Sequence, residues 1–84
     1  MTEVVMYCTD TCPYCHRAEK LLKKKNVRLR KIRVDGNQSK LKEMIRRSGR
    51  NTVPQIFIGK KHVGGFDDLS ELDIVGELDE LLNR

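Results

Sequence analysis

The chain is 84 residues long, enough for one small domain whose elements must share a single core. Three cysteines, an odd count with no secretory apolar segment ahead of them, argue against a secreted disulfide framework and for a reducing cytoplasm. Lys plus Arg (17) exceed Asp plus Glu (12) by a formal charge of +5, which attracts anions in general; without base-reading motifs or aromatic residues among the cations, a nucleic-acid partner is not expected.

No linker, repeat or low-complexity tract divides the chain, so residues 1–84 read as a single domain. The opening Met1-Thr2-Glu3-Val4-Val5 is too brief to target or to span a membrane, and no membrane partner is expected. Val4-Val5-Met6-Tyr7-Cys8 has the apolar character of a buried strand, and Thr9-Asp10-Thr11 breaks it. A helix should start directly afterwards. Thr11 or Cys12 can cap it, Pro13 suits its first position, and Cys15, Ala18, Leu21 and Leu22 fall on one face. Lys23-Lys24-Lys25 then suit the negative pole at its end.

Arg28, Arg30, Lys31 and Arg33 stud the next segment, anchored only by Leu29, Ile32 and Val34, as in an edge strand whose charges discourage further pairing. Asp35-Gly36-Asn37 is a turn. Asn37 or Ser39 can cap a second helix with Leu41, Met44 and Ile45 inward, stopped by Ser48-Gly49. A third strand begins straight after Pro54, and Gly59-Lys60-Lys61 turns the chain back into His62-Val63-Gly64, a hairpin with His62 on its solvent side. Gly64-Gly65 lets a backbone or ligand come close. In the last helix Asp68 and Glu71 read as a capping box, and Leu69, Leu72, Val75, Leu78, Leu81 and Leu82 as the buried stripe. One of Asp67 and Asp68 caps, and the other is left to meet a ligand ammonium. This order implies an α/β sandwich with a parallel pair followed by an antiparallel hairpin.

Cys12-Pro13-Tyr14-Cys15 is the stretch that carries chemistry. Residues three apart on a helix are neighbours, so a disulfide can open and close there without rebuilding the fold. Free N–H groups and the helix dipole favour a thiolate at Cys12, while Cys15, one turn in, should be more protonated and less exposed. Lowering a thiol pKa from about 8.5 to about 5 raises the thiolate fraction at pH 7 roughly 30-fold, but a Brønsted slope near 0.45 removes a similar factor from nucleophilicity. The gain is in Cys12 as a leaving group, hence in turnover. Rival patterns are weaker. The spacing Cys8, Cys12, Cys15 matches iron–sulfur sites of much longer barrels, and Cys15-His16 fits haem attachment in exported cytochromes with Met44 or His62 as distal ligand. Zinc held by Cys8, Cys12, Cys15 and His16 or His62 would compensate for a core that this chain already has; Cys8 reads as a strand-end core residue.

With Cys12-Pro13-Tyr14-Cys15, Thr52-Val53-Pro54 and Gly64-Gly65-Phe66-Asp67-Asp68 in this order and spacing, residues 4–82 resemble a small bacterial dithiol glutaredoxin. The resemblance implies a thioredoxin fold, a four-stranded mixed sheet of order 2-1-3-4 flanked by three helices, with a cis bond at Val53-Pro54. It implies a glutathione-dependent thiol–disulfide oxidoreductase with Cys12 and Cys15 as catalytic residues, no bound cofactor, and glutathione as reducing co-substrate. Pro13, Tyr14, Thr52, Val53, Pro54, Gly65, Asp67 and Asp68 would bind the tripeptide: Val53 through its backbone, Asp67 and Asp68 at the γ-glutamyl end, Tyr14 alongside. Implied partners are disulfide-bonded or glutathionylated proteins, ribonucleotide reductase among them, met by a cytoplasmic monomer. Alternatives are reduction by a thioredoxin reductase, and iron–sulfur carriage between two chains. Thr9 stands where many relatives carry a lysine, with Arg46, Arg47 and Arg50 as candidate substitutes, and Cys8 is an extra thiol open to oxidation or glutathionylation.

Overall fold

The computed structural model describes residues 3–82. Met1 and Thr2 of the expected opening, and positions 83 and 84 of the expected 1–84 domain, lie outside the described residues. The elements run β1 (Val4–Cys8), α1 (Pro13–Lys24), β2 (Leu29–Arg33), α2 (Gln38–Ser48), β3 (Gln55–Ile58), β4 (Lys61–Gly64), α3 (Phe66–Ile74) and α4 (Glu77–Leu81). They build one sheet of order β2-β1-β3-β4, as the resemblance implied. β1 is parallel to β2, with Val4 opposite Leu29, and antiparallel to β3, with Val4 opposite Ile58. β4 returns antiparallel to β3. β2 is therefore an edge, and its exposed Arg30, Lys31 and Arg33 suit that place.

β1 is buried along its whole length, which explains its apolar composition. Alternation sends Val4, Met6 and Cys8 to one face, with Cys15, Ala18 and Leu22 of α1 and Leu69 of α3. Val5 and Tyr7 go to the other, with Val34, Met44 and Phe57. Burying a Leu or Met side chain fully, as at Leu22, Met44 and Leu69, contributes about 1.5–3 kcal/mol each.

Four expectations need correction. α2 is rolled so that Met44 faces the sheet, and Ile45, about 100° further round the helix, is 39% exposed rather than inward. The last helix is two segments: Gly76 adopts φ +83, α3 stops at Ile74 and α4 restarts at Glu77, which turns Val75 out of the expected stripe. α3 also starts earlier than the Asp68–Glu71 pairing implied. Gly65 takes the cap position, and Asp68, three residues on, accepts a hydrogen bond from the Gly65 N–H at 3.0 Å. Finally, His62 is half-buried, because β4 pairs it with Phe57, and the two rings lie 4.9 Å apart.

Candidate active site

The loop after β1 delivers Cys12 to the start of α1 in an extended conformation, which makes it the helix cap. Its Sγ accepts a hydrogen bond from the Cys15 N–H at 3.1 Å. Pro13 follows at the first helical position, where a missing N–H costs nothing. Cys8, Cys12 and Cys15 are all free thiols. Cys12 keeps 8% of its surface open against 3% for Cys15, which packs into the core beside Ala18 and Leu22. Burial pushes the Cys15 thiol up to about 12; its hydrogen bond with Cys12 acts in the same direction, and one from the Thr9 backbone opposes it. Burial also raises the Cys8 thiol, with Lys31 opposing.

Facing Cys12 is the loop before β3. The Val53-Pro54 peptide bond is cis, and the Val53 carbonyl oxygen lies 3.9 Å from Cys12 Sγ. Among the described residues neither the N–H nor the carbonyl of Val53 enters a backbone–backbone hydrogen bond. A groove of about 290 Å³ opens from this loop. Tyr14 and Phe66, with ring centroids 6.3 Å apart, line it together with Thr52, Val53, Pro54 and Gln55. Gly65, Asp67, Asp68 and Arg50 complete the lining. Asp68 is engaged there by the Gly65 N–H and, at 3.3 Å, by Arg50. The Gly65 hydrogen bond first, and Arg50 with it, lower the Asp68 carboxyl below its usual range against the opposing effect of burial. Asp67 is exposed, with no hydrogen bond or ion pair among the described residues.

The structure thus brings Tyr14, Thr52, Val53, Pro54, Gly65, Asp67 and Asp68 to one groove; Cys12 does not line it but touches its Val53, and Cys15 does not line it either. Pro13 is exposed beside the groove rather than lining it. Of the arginines named as substitutes for the missing lysine, only Arg50 lines the groove; Arg47 lies across the sheet over Phe57. Thr9 faces a separate crevice with Cys8 and Cys15. Gln55 and Phe66 were missed as groove residues. A lone amide in the apolar run after Pro54 was the available signal for the first. No three His, Cys, Asp or Glu side chains gather as a metal-binding group among the described residues.

The sequence model described as Glutaredoxin matches residues 4–63. Glutaredoxin 3 of Escherichia coli (strain K12) is 56% identical over 82 residues, which cover 98% of this chain and 99% of the relative. The chain belongs to the glutaredoxin family. As a glutaredoxin it falls in a class of thiol–disulfide oxidoreductases, and the free Cys12–Cys15 pair has the spacing such chemistry uses. Solved glutaredoxins share its fold. The buckwheat glutaredoxin–glutathione complex superposes with a TM-score of 0.88 at 30% identity, covering 98% of this chain and 77% of that one. The Brucella melitensis glutaredoxin gives 0.85 at 49% identity, covering 98% and 89%. No described helix of this glutaredoxin is long and apolar enough to cross a membrane.

Proposed function

We propose that this glutaredoxin takes its electrons from glutathione and passes them through Cys12 and Cys15 to glutathionylated and disulfide-bonded proteins. One observation carries the reading: Cys12 Sγ lies 3.9 Å from the carbonyl oxygen of Val53, whose backbone borders a groove ending in two aspartates. Glutathione carries two carboxylates and one ammonium. A basic protein with a local pair of acids at one end of a groove suits that asymmetry. The Val53 N–H and C=O, free of backbone–backbone bonds among the described residues, would receive the cysteinyl part as an added strand, Tyr14 would flank it, and Asp67 would meet the ammonium. The buckwheat relative was solved with glutathione, which supports the same ligand here.

In the proposed cycle the Cys12 thiolate attacks the glutathione sulfur of a mixed disulfide. A Cys12–glutathione bond forms, and the substrate thiolate leaves and takes a proton. A second glutathione thiolate then attacks that glutathione sulfur, releasing oxidised glutathione and Cys12 thiolate. With a protein disulfide, Cys12 bonds to one substrate sulfur, and Cys15 gives up its proton as it attacks Cys12. The reduced substrate departs, and two glutathiones restore the dithiol. The Cys15 N–H directed at Cys12 favours negative charge on that sulfur in each step that releases it. On this reading residues 1–84 form one domain that works as a monomer in a reducing cytoplasm.

The test is turnover of a glutathione mixed disulfide, coupled to NADPH through either glutathione reductase or thioredoxin reductase. Glutathione should support turnover, and Cys12→Ser should abolish it. Turnover with thioredoxin reductase alone would overturn the proposal.

A further inference from the structure

We infer that Gln55 is a positioning residue, whose side-chain amide holds the Thr52–Val53 backbone in place to receive the cysteinyl part of the substrate. The inference rests on the glutathione reading above and adds the residue that holds its binding edge.

Gln55 is the one polar side chain in the buried set of described residues, with 1% of its surface open. A buried amide costs free energy unless its donors and acceptor are matched, so a leucine would fill the space at less risk. Here each is matched. The amide nitrogen donates to the Thr52 carbonyl at 3.0 Å and to the Thr52 hydroxyl at 3.2 Å. A carbonyl can only accept, which fixes the amide nitrogen toward Thr52 and the amide oxygen toward His62. His62 Nε2 lies 2.8 Å from that oxygen and must therefore carry the hydrogen. His62 is itself held by its contact with the Phe57 ring. A chain of contacts thus runs from the β3–β4 hairpin through Gln55 to Thr52, and the next residue is Val53.

Thr52 and Val53 precede the first residue of β3, so the sheet ladder does not hold them. Val53 has no backbone–backbone partner among the described residues, and the two bonds from Gln55 tie the residue before it. A groove edge that receives a peptide as a strand works best when it is ordered beforehand, because ordering it on binding lowers affinity. The amide supplies that order through its bonds to Thr52.

Two variants separate positioning from packing. Gln55→Met keeps the length and removes both donors and the acceptor; Gln55→Glu, assayed at a pH where it is ionised, keeps the shape and an acceptor but cannot donate to Thr52. Both should raise KM for a glutathione mixed disulfide about three- to tenfold, with kcat and the rate of Cys12 alkylation unchanged. In the substrate-free protein the NMR order parameter of the Val53 N–H should fall, while those of β1 stay high. An unchanged KM in a folded Gln55→Met variant, recovery of the parent KM by Gln55→Glu, or an equal fall in kcat and alkylation rate would overturn the inference. Should Gln55→Met not fold, His62→Phe decides. It keeps an aromatic ring against Phe57 but strips the amide oxygen of its donor, so an unchanged KM and an unchanged Val53 order parameter refute positioning. Failure of the glutathione reading is recognised separately, as absence of turnover in the parent protein; the Val53 order parameter then still decides whether the amide holds the loop.

Discussion

The backbone N–H of Cys15 points at the sulfur of Cys12 across 3.1 Å. The residue that follows Cys12 by one turn therefore acts in two ways. Its amide favours charge on the outer sulfur, and its own thiol, buried and raised to about 12, stays neutral until it is needed.

Because the donor is backbone, Cys15→Ser should leave it in place. This variant should keep most of its activity on small glutathione mixed disulfides, which in the proposed cycle need only Cys12, and should slow on protein disulfides by about tenfold or more. Steady-state assays on the two substrate types check this. Equal loss on both would mean that Cys15 is required throughout.

The raised Cys15 thiol also sets an alkaline limit on the reduced protein. Its ordinary value is 9.0 and its folded value about 12, so between these the unfolded chain gives up a proton that the folded one keeps. The stabilisation is complete below about pH 9 and is lost progressively as pH rises toward 12. Burial raises Cys8 and Tyr7 too, adding the same sign. Urea unfolding of the reduced protein should show stability falling above pH 9, with a shallower fall in Cys15→Ala. An identical slope in that variant would contradict the assignment.

Gly64 and Gly36 both have positive φ, +118 and +70, but a side chain at Gly36 would meet open space. At Gly64 a β-carbon would run into the Asp68 carboxylate and the Arg50 guanidinium. Gly36→Ala should cost about 1–2 kcal/mol, the backbone penalty alone. Gly64→Ala should cost more, because it also displaces the Asp68 cap, and it should raise KM. Thermal unfolding of the pair, with kinetics of Gly64→Ala, tests the ordering.

Tyr7 lies on the face of the sheet that α2 covers, donating to Glu43 at 2.6 Å and accepting from Arg47 at 2.7 Å. Tyr7→Phe should lower stability by about 0.5–1.5 kcal/mol, a drop in Tm of about 4–8 °C per kcal/mol for a domain of this size, with turnover unchanged. Calorimetry beside the coupled assay checks both halves. A fall in turnover at unchanged Tm would link this network to the redox centre.

Where local pattern decides structure, the sequence was readable. β1 is a continuous apolar run, Pro13 marks the start of α1, and Gly49, at φ +73, ends α2 as its place after Ser48 suggested. The leucine spacing of the last helix continues across Gly76 as if the chain did, and only tertiary packing reveals the break there. The Asp68 cap was misplaced for a related reason, since Gly65 offers no side chain to advertise a helix start. At the candidate site the cysteines and the groove's acidic end stood out by motif. Gln55 did not, because its contact with His62 crosses a hairpin and exists only once β3 and β4 pair.

Val53 packs against both apolar clusters, the one containing Cys12 and Cys15 and the one around Met44. Its side chain is pinned between the two halves of the interior while its carbonyl meets the Cys12 sulfur. Drift in either half over evolutionary time would be felt at the docking rim, so substitutions far from the chemistry can tune which disulfides the protein accepts.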